Sequence, residues 1–514
     1  MERESTLQIL QDEKNIATYN ESIINEDKQP VTSKELKGWY LHNFACGAYD
    51  VAIAGFFAPV LLEKLASKSG YELDRVTPCD TLVPNHKCVI KIAGVYIDTD
   101  SFSFYVVSLS VLLQSLLLIS CTSLADHGAN RKKFLLFFST VGAVATICYA
   151  LVFKPEWYLF AGIITIVSNC CFGAAYVFHL AHIPIFSRIY PEVLLLKKSN
   201  ASSEKLLEVE EKISTKLSAN TTGVGFVAGL LVVFGGLGIV LALNSSDYSL
   251  QIAMSFGGGW WLIWLIFPFL WLKEHPEPPL PSTVNKFLYP YKRIFKTMKK
   301  ARKLKQITIF LTSWFLLSDG INTIGPLAAL FGSKTFNLTE VQLIILAIIV
   351  PSCAAIGIYI FYFIEKLFKF TTKTMIIIIS IMLTLLPAYT LLGFFLPFGM
   401  RHNWEIWLFV VYFGLCLGSI QAYSQSLFSR LIPKGHESEF FSLYLITAKG
   451  SSTLGPMLSG IVTSATHEIR NGFWVLFVML SISSVIVMTL VVDIGIKESE
   501  DFVKDEIEEQ SEQS

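Results

Sequence analysis

Twelve apolar stretches dominate this chain, and each is long enough to cross a bilayer, which takes about 20 residues in a helix. They lie at 39–64, 101–124, 134–153, 157–186, 221–243 and 251–272, and then at 306–331, 341–363, 374–396, 404–428, 440–463 and 472–493. In lipid a backbone must bond to itself, so runs of this length are helices. Composition agrees: only 16% of the 514 residues are charged, against about 25% in soluble domains. We read an all-α integral membrane protein with 12 transmembrane helices in two six-helix halves. The divisions are a tail 1–37, a first half 38–272, a connector 273–305, a second half 306–493 and an acidic tail 494–514. A formal net charge of zero gives no reason to expect a nucleic-acid partner; membrane lipids are the expected surround.

Lysine and arginine set the orientation, because they concentrate on the cytosolic side. With a cytosolic N-terminus, 31 of the 41 fall in cytosolic loops and tails, 9 fall on the other side, and Lys449 alone lies within a span. Both termini are therefore expected in the cytosol. The loop 64–100 then faces a non-cytosolic compartment, where Cys79 and Cys88 can close a small ring if that compartment is oxidising. The other seven cysteines lie in spans and read as buried thiols. The sequons at Asn244 and Asn337 share that non-cytosolic side and are glycosylation candidates, whereas those at Asn20, Asn200 and Asn220 lie on or at the edge of the cytosolic side and are expected to be empty. Residues 200–217 have amphipathic helical spacing and read as a solvated loop helix, and the connector reads as a basic surface helix. The tail KESEDFVKDEIEEQSEQS is acidic and expected to be disordered.

Two six-helix halves joined by a long cytosolic connector fit the major facilitator architecture, in which substrate sits near the membrane midplane between the halves. The loop CTSLADHGANRKKFL is similar to the gating loop of such transporters, with Asp126, Gly128, Arg131 and Lys132 in a loose version of its pattern. Thr122 stands where that pattern has its first glycine. A carboxylate there caps a neighbouring helix or pairs with Arg131, holding one side shut; the alternative is an ordinary basic loop. The matching loop of the second half keeps only Glu365 and Lys366.

A charge inside a span costs about 2.5–3.5 kcal/mol on insertion scales, so it marks a functional group or a structural pair. Three such groups stand out: Asp50, Asp319 and Lys449. Asn322 and Thr323 share a helical face with Asp319. We expect an Asp319–Lys449 pair, broken either by a proton on Asp319 or by a substrate carboxylate on Lys449; a purely structural pair is the alternative. Asp50 is placed to meet solvent or substrate. Asn169 and Gln421 supply neutral hydrogen bonds, either to a cavity or between helices. His179 and His182 read as satisfied or interfacial. No metal-ligand spacing, nucleotide loop or nucleophile–base constellation is visible, so no cofactor, metal or enzymatic activity is expected.

Particular stretches carry a family resemblance. KGWYLHNF (Lys37–Phe44), SWFLLSDGINTI (Ser313–Ile324) and above all the block Glu437–Arg470, which opens ESEFFSLYLITAKGSSTLGP, resemble the autophagy-related protein 22 family. These are fungal vacuolar amino-acid effluxers of the major facilitator superfamily. The resemblance implies a multi-pass protein of the vacuole membrane that releases leucine and other neutral amino acids to the cytosol after autophagic breakdown. Asp319 and Lys449 stand where the family has Asp and Lys. The first helix departs: where relatives read Ser-Glu-Pro, this chain has Cys46-Gly47-Ala48, with an acid only at Asp50. An acidic lumen makes proton movement with substrate downhill, with Asp319 and Asp50 as carriers. The competing readings are a facilitator for a peptide or sugar, a membrane-embedded enzyme or lipid-handling protein, and a non-transporting receptor on the same fold.

Overall fold

The computed structural model describes residues 29–79, 88–92, 94–128, 130–244, 246, 248–275, 304–450 and 454–513. The basic surface helix expected in the connector falls almost wholly outside them, as does the sequon at Asn20. Eleven helices among the described residues are long and apolar enough to cross a membrane. In the first half these are α1 (Ser33–Ser69), α2 (Thr99–Ala125), α3 (Arg131–Leu151), α4 (Tyr158–Leu180), α5 (Ser203–Ala242) and α6 (Ser249–Trp271). In the second half they are α7 (Lys305–Thr335), α8 (Glu340–Phe368), α9 (Thr372–Leu392), α10 (Asn403–Leu431) and α12 (Gly472–Thr489). Within the twelfth expected span, 440–463, the described residues form α11a (Glu437–Gly450) and α11b (Leu454–Thr466); residues 451–453 lie outside the described residues.

Local chemistry fixes the helix ends. Thr339 and Gln342 form a reciprocal capping box at the start of α8. Glu405 in the first turn of α10 accepts from the backbone N–H groups of Gly399, Met400, Arg401 and His402 and from the Tyr389 hydroxyl. Two residues of α1 fit it against α5: Asn43 donates to the Thr221 carbonyl at 2.6 Å, and Gly47 meets Gly225 so closely that a Cβ on Gly47 would lie 2.8 Å from the Gly225 Cα. The middle of α1, Tyr49–Phe57, is wound as a π-helix.

The two ends of the bundle differ. At one, Val31 N–H donates to Ile189 O at 3.1 Å, His275 meets Glu35 at 2.6 Å, and Gln306 bonds the backbone at Val491 and the side chain of Glu498. This end carries the loops 125–133 and 187–202 and is called the basic face below. At the other end, Cys79 and Cys88 form a disulfide with a Cα–Cα distance of 5.8 Å, beside the antiparallel hairpin β1 (Val89–Ile92) and β2 (Val95–Asp98). One apolar core, with Tyr49, Phe57, Tyr149 and Trp261, lies within the first half. A larger one joins Trp39, Phe178 and Phe186 to Trp314, Phe428 and Phe441 across both halves.

Two stretches differ from expectation. Residues 203–217 do not form a separate loop helix: they are the first turns of α5, a single helix of 40 residues. No proline or glycine interrupts the run before Gly223, and Ile213 and Leu217 are buried against the second half. The acidic tail is not disordered: Val492–Gln513 is a helix, α13. Its one large aromatic, Phe502, is buried, so the tail has an apolar anchor that its charge content hid.

Candidate functional site

A cavity of about 510 Å³ lies between the halves. Asp50, Val51, Gly55 and Phe56 of α1 and Phe226 and Val233 of α5 line it from the first half. Asn322 to Ala329 of α7, the first turns of α8 and Ile406 to Gln421 of α10 close it from the second. Because α8 and α10 both start at the disulfide face, the cavity runs from Asp50 and Gln421 toward that face. Its polar groups, Asp50, Asn322 and Gln421, sit among Phe56, Phe226, Phe409 and Phe413. The π-wound turn that begins at Tyr49 puts Asp50 on this wall, a place where such turns are common.

The expected Asp319–Lys449 pair is absent, and a different one replaces it. Lys449 Nζ lies 3.9 Å from Asp50 Oδ1, with the two side chains 43% and 49% exposed. The pair therefore crosses between the halves at the cavity. Lys449, near the end of α11a, faces α1, while Asp319 meets Gly455 of α11b. Asp319 Oδ2 accepts from the Gly455 N–H of α11b at 2.8 Å. Asp319 is buried, and its Oδ1 has no hydrogen-bond partner among the described residues. Thr323 donates to the Asp319 carbonyl at 2.7 Å.

Beneath the cavity the halves are joined as far as the basic face. Thr222 donates to Gln425 Oε1 at 3.3 Å, and Gln425 donates to the Tyr176 hydroxyl at 2.9 Å. A turn below, Thr215 meets Ser426 at 3.0 Å and Ser214 meets Ser429 at 2.7 Å. The loop after α2 completes the joining of the halves. Asp126 accepts from the backbone N–H of Ser438 and of Glu439, both at 3.0 Å, so it caps α11a across the two halves. It also pairs with Arg131 at 2.7 Å. Arg131 reaches Glu437 at 3.3 Å, and Arg188 reaches the same carboxylate at 2.7 Å. Both roles expected of Asp126 are thus present together. Gly128 turns the loop at φ +62°, and Lys132 lies with His182 and His275 around a small neighbouring cleft. Glu437 lies just outside the apolar span. Burial pushes its carboxyl up, but Arg188 and Arg131 outweigh burial and hold it down to about 2, so this latch keeps its charges at any physiological pH.

The remaining expected residues divide. Asn322 and Gln421 line the cavity. Asn169 is spent between helices: it accepts from the Tyr49 hydroxyl at 2.9 Å and donates to Ser110 at 3.3 Å. His179 stacks on Trp39, and both His179 and His182 are buried and hydrogen-bonded. Asn244 and Asn337 are exposed with positive φ, just past the ends of α5 and α7. Among the described residues there is no group of His, Cys, Asp or Glu that fits a metal ion. Sequence reasoning missed Arg188, Glu437 and the hydroxyls of the α5–α10 seam. Their signal was the spacing of Ser214, Ser218 and Thr222 along one face, which resembles the small-residue rule for helices in contact. It also missed Glu365, assigned to a loop but buried within α8, where the Tyr423 hydroxyl donates to it at 2.9 Å.

Two six-helix halves latched at one face and parted by a cavity at the other are the fold of the major facilitator transporters. The chain is similar to the human organic anion transporter MFSD10, with TM-score 0.62 and 13% identity over 89% of this chain and 100% of that one. It is also similar to the proton:xylose symporter XylE, with TM-score 0.60 and 11% identity over 88% and 95%. A family model described as vacuole effluxer Atg22 like matches residues 31–500, and the chain belongs to that family. Relatives named autophagy-related protein 22 include one from Pyricularia oryzae, 34% identical over 93% of this chain and 79% of its own length. One from Coccidioides immitis is 32% identical over 96% and 93%.

Proposed function

We propose that this protein is a vacuolar effluxer that carries neutral amino acids from the lumen to the cytosol, linked to protons. The basic face is then cytosolic, and the disulfide face and its cavity open to the lumen. The observation that carries the reading is the Asp50–Lys449 pair at the cavity, 3.9 Å apart and contributed by opposite halves. A zwitterion offers both charges that such a pair needs: its ammonium goes to Asp50 and its carboxylate to Lys449. Each half then holds one end of the substrate, while Phe56, Phe226, Phe409 and Phe413 receive an apolar side chain. A sugar has no use for the two charges.

Asp319 is the proton carrier in this reading. As a carboxylate it accepts from the Gly455 N–H of α11b. Its other oxygen has no hydrogen-bond partner among the described residues, which leaves a place for a proton. A proton from the lumen weakens its hold on Gly455, six residues along the same span from Lys449. The test is efflux of labelled leucine from vacuolar vesicles at two luminal pH values, with xylose and a dipeptide as controls. Lys449→Ala is expected to lower leucine efflux by at least roughly tenfold, the worth of one hydrogen bond between charged groups. Asp319→Asn is expected to abolish the dependence on luminal pH. Unchanged leucine efflux in Lys449→Ala sinks the zwitterion site.

A further inference from the structure

Glu437, Ser438 and Glu439 tie α11a to the first half, but the residue just before them is tied elsewhere. His436 is buried, and each of its ring nitrogens faces a carboxylate. Nδ1 lies 2.9 Å from Glu439 Oε2, and Nε2 lies 2.7 Å from Glu506 Oε2 on the C-terminal helix α13. A neutral imidazole has one N–H and one bare nitrogen, so only the imidazolium donates to both carboxylates. Phe502, one turn before Glu506, packs edge-on against the ring at 5.4 Å. Farther back, Ser499 donates to the Leu431 carbonyl, and Glu498 accepts from the Gln306 N–H at 2.9 Å. The helix thus runs under the ends of α7 and α10 and finishes on the latch itself, since the Glu439 backbone N–H is one of the two that Asp126 holds.

We propose that α13 is a regulatory strap that holds the latch shut while His436 carries two protons, and that rising cytosolic pH releases it. The charged surroundings of the ring fit this role. Glu439 stands on its own helix, Glu506 on α13, and Lys434 two residues back in the loop. The groups that follow are already engaged: Glu437 with Arg131 and Arg188, Asp126 with Arg131, and Arg430 at the end of α10 with Glu211 at 2.9 Å. Glu437 keeps its charge near neutral pH, whereas imidazole is the side chain that ordinarily changes charge between pH 5 and 8. Loss of one proton from His436 leaves a bare ring nitrogen facing a carboxylate. Glu439 lies three residues on, in the first turn of the helix that follows His436, so it is the shorter-range tie and the contact to Glu506 is the one given up.

This inference uses the orientation given under the proposed function; only its efflux arm also uses leucine as substrate, and the labelling arms separate the two. In intact vacuoles the bath is the cytosolic side. Ser499→Cys places a thiol under the strap, and Glu500→Cys places one on its exposed side. Their labelling rates with an impermeant maleimide are compared as a ratio above the background of the parent chain, which cancels the intrinsic pH dependence of thiols. The Ser499→Cys to Glu500→Cys ratio is expected to rise roughly tenfold between bath pH 6 and 8, the worth of one hydrogen bond to a charged group. With Glu506→Gln added, which removes a charge but keeps the side-chain shape, the ratio is expected to be high and flat. A flat ratio in the parent, or an unchanged slope with Glu506→Gln, overturns the strap. Leucine efflux at bath pH 6 is expected to be faster in Glu506→Gln than in the parent; equal rates with an altered labelling ratio overturn its regulatory part.

Discussion

Asp126 shows how much one side chain does at the basic face. Its two oxygens accept two backbone N–H groups of α11a, and one of them also pairs with Arg131. Asp126→Asn keeps an acceptor but leaves a buried guanidinium with Glu437 as its main partner. Breaking such a pair removes about 3–5 kcal/mol from the closed arrangement. The expected outcome is entry of a thiol reagent from the basic face to Ser426→Cys, a seam position sealed in the parent. Glu437→Gln is expected to act alike, and its effect should not vary between pH 5 and 8. The folded carboxyl is held down to about 2, so the stability it lends is present above its ordinary range and lost only as pH falls toward that value. At this scale the sequence picked out the charges within spans but not whom they meet. Asp50, Asp319 and Lys449 were legible because charge is rare in lipid. Their partners were not, because which charges meet depends on how the helices of the two halves pack side by side, which spacing along one helix does not encode.

Elements were legible where hydropathy decides and illegible where packing does. The twelve apolar runs became helices at nearly the expected places, because lipid leaves a backbone no other option. The start of α5 was misjudged because a stretch with Glu204, Lys205, Glu208 and Glu210 reads as solvated. In the structure its hydroxyls bond α10 and its leucine and isoleucine side chains enter the shared core. The tail was misjudged for a similar reason, since disorder follows from average composition and α13 is held by a few placed contacts. Between α1 and α5, Gly47 and Gly225 allow an approach that side chains forbid. Gly47→Val is expected to lower stability by about 1–3 kcal/mol through overpacking, read as an earlier thermal transition of the purified protein. Gly238→Ala, with open space around it, is the matched control and is expected to leave the transition in place.

As a whole, the molecule is closed at its basic face and hollow toward the other. Asn322→Cys, on the cavity wall, is therefore expected to react with an impermeant thiol reagent supplied from the disulfide face and to be protected from the basic face. Reaction from the basic face instead would contradict the closed latch. The six-plus-six division was readable from the runs alone, but the state was not, since a sequence encodes both the open and the closed arrangement of the same two halves. The wound-out middle of α1 bears on how they interchange. Its lower part is bolted to α5 at Gly47, while its upper part carries the disulfide loop. In a π-helix the backbone bonds span one residue more than in an α-helix. Between Tyr49 and Phe57 the strand of bonds therefore holds slack, and drawing one turn tight shifts the upper part by about 1.5 Å, one residue's rise. Asp50 sits at the start of that slack, so the length of chain that frames the cavity is adjustable without any helix having to come apart.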